Sequence, residues 1–256
     1  MAIPDIQVHD IPAVILAGGQ GVRLRSCVTD RPKPMALVAG RPFLEWLLLR
    51  LRRWGVREVV LCVGYGAHQI RRYFSDGTWL DMEIRYAQEE SPLGTAGALR
   101  LALPFLDSDP VLVLNGDSYC DAPLDHFLAS HCQRGADGSL LLVKVPDPLR
   151  YGTVGLNSEG RIMTFHEKAA PPVGAWINAG QYLFARELVA TIPAGVPLSL
   201  EHEIIPRWLA RRLVGFSGHW PFLDIGTPES YRQADAFFQS ACLADVRPAR
   251  MAGGSP

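Results

Sequence analysis

The stretch Leu16-Ala-Gly-Gly-Gln-Gly-Val-Arg-Leu24, fed by the apolar run Pro12 to Leu16 and followed by Lys33, carries the residue types that hold a phosphate. Gly18, Gly19 and Gly21 remove the side chains that would keep an anion away from backbone N–H groups. A helix after the loop would aim its positive end at the same anion. Arg23 and Lys33 add mobile positive charge. An ordinary strand-turn-helix corner would account for the glycines, but not for two cations beside them. Spacing then separates the competing phosphate loops. A dinucleotide fingerprint needs G-x-G-x-x-G, and counting from Gly19 puts Leu24 where the third glycine belongs. A P-loop needs Gly-Lys-Ser/Thr, which occurs nowhere in the chain.

Two aspartates stand where such a loop would want them. Asp117 closes Asn115-Gly116-Asp117, and Asp224 sits in Phe222-Leu-Asp-Ile-Gly-Thr-Pro228 ahead of a helical segment. Mg²⁺ takes oxygen ligands, keeps several waters, and is held by one or two carboxylates plus substrate phosphates. Taken singly, Asp117 is equally a turn former and Asp224 a loop residue near a helix start. The glycine loop favours the metal role for both. The remaining motifs are weak alone: Glu167-Lys168 is usually an exposed pair, Asn178-Ala-Gly180 a turn, and Tyr151-Gly152 a strand entry. The histidines show no H-x-x-x-H or H-E-x-x-H pattern, so zinc is not expected, and His166, His202 and His219 are expected at the surface or core edge. No G-x-S-x-G supports a hydrolase.

The elements that must position these residues follow from apolar periodicity. Strand-length runs recur at Ala13 to Ala17, Glu58 to Val63, Met82 to Ala87 and Val111 to Asn115. Helical spacing fills the gaps: Pro42 to Trp54, Ala67 to Phe74, Ala96 to Leu103 and Leu124 to Arg134. Such alternation implies βαβ units and a parallel sheet. Arg50, Arg52 and Arg53 are expected as solvated last-turn cations. From Ser139 the texture changes to strands at Ser139 to Val145, Gly152 to Leu156, Arg161 to His166 and Trp176 to Phe184. Helices at Leu200 to Arg212 and Pro228 to Ser240 follow, then a tail over residues 244–256 without periodicity, expected to be disordered. We therefore expect one domain over residues 1–243, with nucleotide held by residues 12–137 and the second substrate by residues 138–243.

Composition bounds the rest. A 256-residue chain that is 48% hydrophobic and 20% charged is globular and buries roughly three quarters of its unfolded surface. A net charge of −1 with scattered arginines speaks against nucleic acid and membrane as partners. Five cysteines without C-x-x-C spacing are expected to be reduced. No cationic apolar leader and no apolar run of about 18 residues is present, so a cytoplasmic location is the default expectation. A homo-oligomer is compatible with all of this.

LAGGQGVRLRSCVTDRPKPM, VGYGAHQI, PLGTAGAL, VLNGD, RYGTVGL, FHEK, INAGQY and FLDIGTPESY together resemble the bacterial sugar-1-phosphate nucleotidyltransferases. The likeness is strongest to the D-glycero-α-D-manno-heptose 1-phosphate guanylyltransferases and spans about Ala13 to Ala236. The chain departs from that subgroup at Ala179, where Asn-Gly-Gly is usual, and at Leu198-Ser-Leu-Glu201, where Phe-Ser-Phe-Glu is usual. The resemblance implies a three-layer α/β/α Rossmann-like fold with a mixed, mostly parallel central sheet. It implies that an NTP and a sugar 1-phosphate become an NDP-sugar and pyrophosphate. Leu16, Ala17, Gly18, Gly19, Gly21, Arg23 and Lys33 would hold the triphosphate, with Lys33 neutralising pyrophosphate. Gln88, Glu89, Gly94 and Thr95 would meet the base, and a Glu89 carboxylate suits the paired donors of guanine. Asp117 and Asp224 would hold Mg²⁺, Lys168 would orient the sugar phosphate, and Tyr151, Gly152, Glu167, Asn178 and Gly180 would contact the sugar. A mannose 1-phosphate guanylyltransferase is the near alternative, a uridylyl- or thymidylyltransferase the next, and a non-catalytic nucleotide-binding paralogue the alternative of another class.

Overall fold

A computed structural model describes residues 6–167 and 175–239. Its frame is four parallel strands, β1 (Ala13–Leu16), β4 (Glu58–Val63), β5 (Glu83–Gln88) and β6 (Val111–Asn115), in the order β5-β4-β1-β6. The two-residue strands β2 (Leu37–Val38) and β3 (Arg41–Pro42) form a hairpin beside them. Crossovers are made by α1 (Phe43–Arg53), α2 (Ala67–Phe74) and α3 (Gly94–Ala102). Because helices cover both faces, the strands read as continuous apolar runs. Ala13 and Ile15 of β1 enter one core with α1, α2, α4 (Leu124–Gln133) and α7 (Pro228–Gln239). Val14 enters the other with α3, α5 (Arg186–Ala190) and α6 (Ile205–Trp208).

The second half extends the same sheet. Strand β11 (Trp176–Phe184) lies antiparallel to β6 through Gln181 to Phe184, and β8 (Gly138–Val143) runs along its other edge. Beyond Asn115 the edge that β6 held is taken by β9 (Gly152–Leu156), which carries β10 (Ile162–Glu167). Strand β12 (Leu213–Gly218) lies parallel to β8. A separate ribbon pairs β7 (Ser118–Cys120) with β13 (Phe222–Asp224).

Three local expectations are corrected. The glycine loop leads into a short 3₁₀ turn, Val22–Leu24, rather than a helix; the Cys27 and Val28 N–H groups both converge on the Leu24 carbonyl at 2.9 Å, which closes the chain into a turn instead of continuing a ladder. The expected helix over Leu200 to Arg212 is a π-turn, Leu200–Ile204, followed by the single turn α6, with β12 beyond it. Pro206 lacks the N–H that would continue one regular ladder. Arg50 is fully buried, not solvated. It faces Tyr119, donates to the Ala122 carbonyl at 2.9 Å and lies 3.6 Å from Asp121, which also pairs with Arg53. Its position follows from α1 itself, where Phe43, Leu44, Leu47, Leu48 and Leu51 are fully buried, each contributing about 1.5–3 kcal/mol. The expected tail, and Cys242, lie outside the described residues. No described helix is long and apolar enough to cross a membrane.

Candidate functional site

The glycine loop runs off the carboxyl end of β1. Ala17 N donates to the Cys62 carbonyl (2.8 Å) and Tyr65 N to the Gly18 carbonyl (3.2 Å), which tie the loop to the end of β4. The backbone N–H groups of Gly18, Gly19, Gln20 and Gly21 donate to no acceptor among the described residues. Four adjacent unpaired donors are an anion cradle. Glycine is needed at two of these positions for stated reasons. A Cβ on Gly18 would sit 2.8 Å from Glu89 Oε1, and Gly21 has φ +60 with Lys33 Cβ 2.7 Å from where its own Cβ would be.

Asp117 and Asp224 meet because their backbones are paired. β7 and β13 place Asp224 opposite Ser118, and Ile225 N donates to the Asp117 carbonyl at 2.9 Å. Gly116 presses this ribbon against the glycine loop, since its N–H donates to the Leu16 carbonyl at 2.9 Å and a Cβ would come within 2.7 Å of that oxygen. Each carboxylate has its own cation. Lys33 Nζ donates to Asp117 Oδ2 at 2.5 Å and Ser118 Oγ to Oδ1 at 3.2 Å. Arg150 donates to Asp224 Oδ2 at 2.8 Å, Tyr151 OH donates to the same oxygen, and Gly226 N donates to Oδ1 at 2.7 Å. Burial alone would raise the Asp117 pKa, but the Lys33 ammonium, the hydrogen bonds from Lys33 and Ser118, and the charge of Arg23 outweigh it. The carboxyl is held below its ordinary range and is ionised at neutral pH. Burial, then the Asp224 charge and hydrogen bond, push the Tyr151 hydroxyl up, so it remains a donor.

Asp117 lines three adjoining cavities. One of about 710 Å³ is walled by Leu16, Gly18, Gly19, Gln88, Glu89, Gly94 and Thr95. A second of about 260 Å³ runs under Ala17, Gly21, Arg23 and Lys33. A third of about 260 Å³ is walled by Tyr151, Gly152, Glu167, Asn178, Gly180 and Asp224. Every expected site residue within the described chain therefore borders one cleft; Lys168 lies outside the described residues. Glu89 is held in the first cavity by Leu93 N, which donates to Oε2 at 2.9 Å.

Three side chains that sequence reasoning left out of the site also border it. Arg150 was adjacent to the motif residue Tyr151, but its partner Asp224 is 74 positions away. Glu201 accepts from Thr95 Oγ1 (2.8 Å), Asn115 Nδ2 (3.1 Å) and Tyr182 OH (3.2 Å) and faces both the first and third cavities. It reaches them because Leu198 is stapled to the start of α3: Leu198 N donates to the Leu93 carbonyl and Ala96 N to the Leu198 carbonyl, both at 2.9 Å. Asn115 was visible only as the first letter of Asn-Gly-Asp. The Asn178–Gly180 segment lies where β11 shifts register against β8, with Gly180 at φ +72 and its N–H donating to Asn178 Oδ1 at 3.1 Å.

Two carboxylates brought together by the paired strands β7 and β13, facing one cavity beside unpaired amides, fit a divalent cation that takes its other ligands from phosphates and water. No cluster of three or more His, Cys, Asp or Glu side chains suited to an all-protein metal cage occurs among the described residues.

Residues 12–241 match the family described as nucleotidyl transferase. The chain is 33% identical to D-glycero-α-D-manno-heptose 1-phosphate guanylyltransferase of Aneurinibacillus thermoaerophilus, over 89% of this chain and 98% of that protein. It is 38% identical to mannose-1-phosphate guanylyltransferase of Mycobacterium tuberculosis over 89% of this chain, and spans 64% of that relative's length. Its backbone superposes on HddC from Yersinia pseudotuberculosis, crystallised in complex with GMP-PN, with a TM-score of 0.80 and 31% identity over 90% of this chain and 100% of that one. The three-layer arrangement with a mixed sheet is thus a fold already seen in that protein.

Proposed function

The chain belongs to the nucleotidyl transferase family, and from that premise we propose that it transfers a guanylyl group from GTP to D-glycero-α-D-manno-heptose 1-phosphate and releases pyrophosphate. One observation carries the reading: Asp117 borders the base-side, phosphate-side and sugar-side cavities at once.

In this reaction an oxygen of the sugar phosphate attacks the α-phosphorus, a new P–O bond forms, and the bond to the β-phosphate oxygen breaks with its electrons leaving on pyrophosphate. The nucleophile is already anionic at neutral pH, so no general base is required. The difficulty is bringing two anions together, and alignment with charge stabilisation overcomes it. The unpaired amides of Gly18 to Gly21 take phosphate oxygens, and Arg23 and Lys33 neutralise the leaving group. Asp117 and Asp224 would hold Mg²⁺, which when bound would supply positive charge to the reacting phosphates. Lys33 and Arg150, each paired with one of these aspartates, place positive charge in the cleft to meet phosphate oxygens. Lys168 orients the sugar phosphate, while Tyr151, Gly152, Glu167, Asn178 and Gly180 receive the sugar hydroxyls. Gln88, Gly94 and Thr95 bound the base, and the Glu89 carboxylate accepts the adjacent N1–H and amino protons of guanine, a pair that uracil and thymine lack.

A second reading is mannose 1-phosphate as the acceptor, favoured by the 38% identity to the mycobacterial mannose enzyme. Pyrophosphate release from GTP, UTP, dTTP, CTP and ATP against heptose and mannose 1-phosphates tests both. Fastest release with GTP and the heptose substrate is expected. Preference for mannose would replace the sugar, preference for UTP or dTTP would remove the Glu89 argument, and nucleotide binding without turnover on any pair would mark a non-catalytic paralogue.

A further inference from the structure

At the other end of the sheet lies a cavity of about 480 Å³ lined by Arg134, Arg161, Arg211 and Arg212 together with Asp137 and Glu159. Its place follows from strand register. Gly138 opens β8 opposite Phe184, which lies opposite Val111 at the start of β6, whereas the catalytic cleft is at Asn115, where β6 ends. Strand β8 is six residues long, about 17 Å from end to end at the usual rise. The cavity therefore has no part in the chemistry proposed above.

Its arginines carry charge that no described carboxylate pairs. Arg31, Arg41, Arg50, Arg53, Arg85 and Arg150 each pair with a carboxylate. None of the four lining arginines does so among the described residues. The two lining acids offset part of that charge and leave an excess of cations: Asp137 Oδ2 accepts from the Arg212 backbone N–H at 2.9 Å, and Glu159 is exposed. Two of the guanidinium groups are fixed by the backbone. Arg134 donates to the Gly160 carbonyl (3.4 Å) and Arg161 to the Arg211 carbonyl (3.3 Å). Gly160 suits the turn there because its φ of +74 lies in the left-handed region, and it leaves room for the Arg134 guanidinium, whose terminal nitrogens would lie 2.9 Å from a Cβ. Arg211 and Arg212 are exposed arms beside this fixed pair. Guanidinium forks placed in this way match phosphate oxygens in pairs. No aromatic side chain lines the cavity, so it offers no platform for a nucleobase.

We propose that this cavity is a second anion site, separate from the catalytic cleft, for a compact ligand carrying two phosphate groups. Inorganic pyrophosphate and a sugar bisphosphate share that chemistry, and the test separates them.

The full chain is titrated by calorimetry with sodium pyrophosphate and, separately, with glucose 1,6-bisphosphate, in EDTA at low salt. The comparison variants are Arg211→Gln/Arg212→Gln and, as a surface control, Arg232→Gln. The expected result is a binding event that weakens about tenfold or more in the double variant, is unchanged in Arg232→Gln, and leaves the thermal midpoint where it was. The tighter of the two probes identifies the source of the phosphates. Isotherms of the double variant that superimpose on those of the wild type would overturn the proposal. So would tighter binding of a hexa-aspartate peptide than of either phosphate probe, which would make the patch a docking surface for an acidic protein segment.

Discussion

At the scale of single residues, the site separates charge from shape, and two substitutions exploit this. Asp117→Asn keeps the side chain's size and a hydrogen-bond acceptor for Lys33 but removes the charge that the Lys33 contact and the expected cation both use. Pyrophosphate release should fall by about 10²–10³, the usual cost of deleting a preorganised electrostatic group, with the urea midpoint little changed. Release within a few-fold of wild type would remove Asp117 from the metal role. Glu89→Gln acts on the base. Its carbonyl oxygen would keep the Leu93 N–H that Oε2 now accepts, so the amide would turn its own donors toward the guanine donors. The loss is about 1–3 kcal/mol, as for other bidentate base contacts, read as a 5- to 150-fold fall in kcat/KM for GTP with UTP far less affected. The aspartates and Glu89 were legible because their neighbours form recognisable words. Arg150 and Glu201 were not, because each acquires its role from a partner 74 or 106 positions away, a distance over which one sequence holds no pairing signal.

At the scale of elements, the parallel strands and their crossover helices were readable from periodicity, since β4, β6, β9, β11 and α2 have the extents that their apolar patterns predict. What escaped notice is short or stitched by tertiary contacts: the ribbon β7–β13, which brings the two aspartates together, is three residues on each side. The π-turn at Leu200–Ile204 is likewise held from outside, with Leu200 N donating to Thr95 Oγ1 at 2.7 Å. One element-level contact makes a pH prediction. His131 of α4 is 6% exposed and shares a 2.8 Å hydrogen bond with Ser139 of β8. Burial, only partly opposed by the charges of Asp109 and Asp137, pushes its pKa down to about 4. The unfolded chain takes up that proton near pH 6.5, so the stability this histidine confers is complete above about pH 6.5. It is lost as pH falls toward 4, by about 2 kcal/mol at pH 5. Urea midpoints at pH 7.5 and pH 5 should therefore diverge by that much more in the wild type than in His131→Gln. Parallel losses in both proteins would show that His131 stays protonated in the fold or that the α4–β8 contact is loose.

At the scale of the whole molecule, the packing crosses the expected division of ligands at about residue 138. The last helix, α7, returns to the first half. Tyr231 OH donates to the Leu37 carbonyl and Asp235 accepts from Ala39 N, both at 2.7 Å. Phe238 stacks on Trp46 with ring centroids 4.5 Å apart, meets Tyr119 at 4.9 Å and Phe43 at 6.1 Å, and is 1% exposed. The β13–α7 arm thus carries Asp224 to Asp117 and is itself anchored on α1 and β7, while β11 joins β6 to β8 in the middle of the sheet. Neither half keeps a complete hydrophobic core if the other unfolds, so the chain should unfold in one step. Phe238→Ala tests this far from the chemistry, since it deletes a ring that touches neither substrate. It should cost about 3–5 kcal/mol and move a single transition to lower urea, with tryptophans of both halves, Trp46 and Trp208 among them, reporting the same midpoint. A second transition, with Trp46 released before Trp208, would mean that the halves fold separately and that Asp224 is delivered to the cleft by docking rather than by the fold itself.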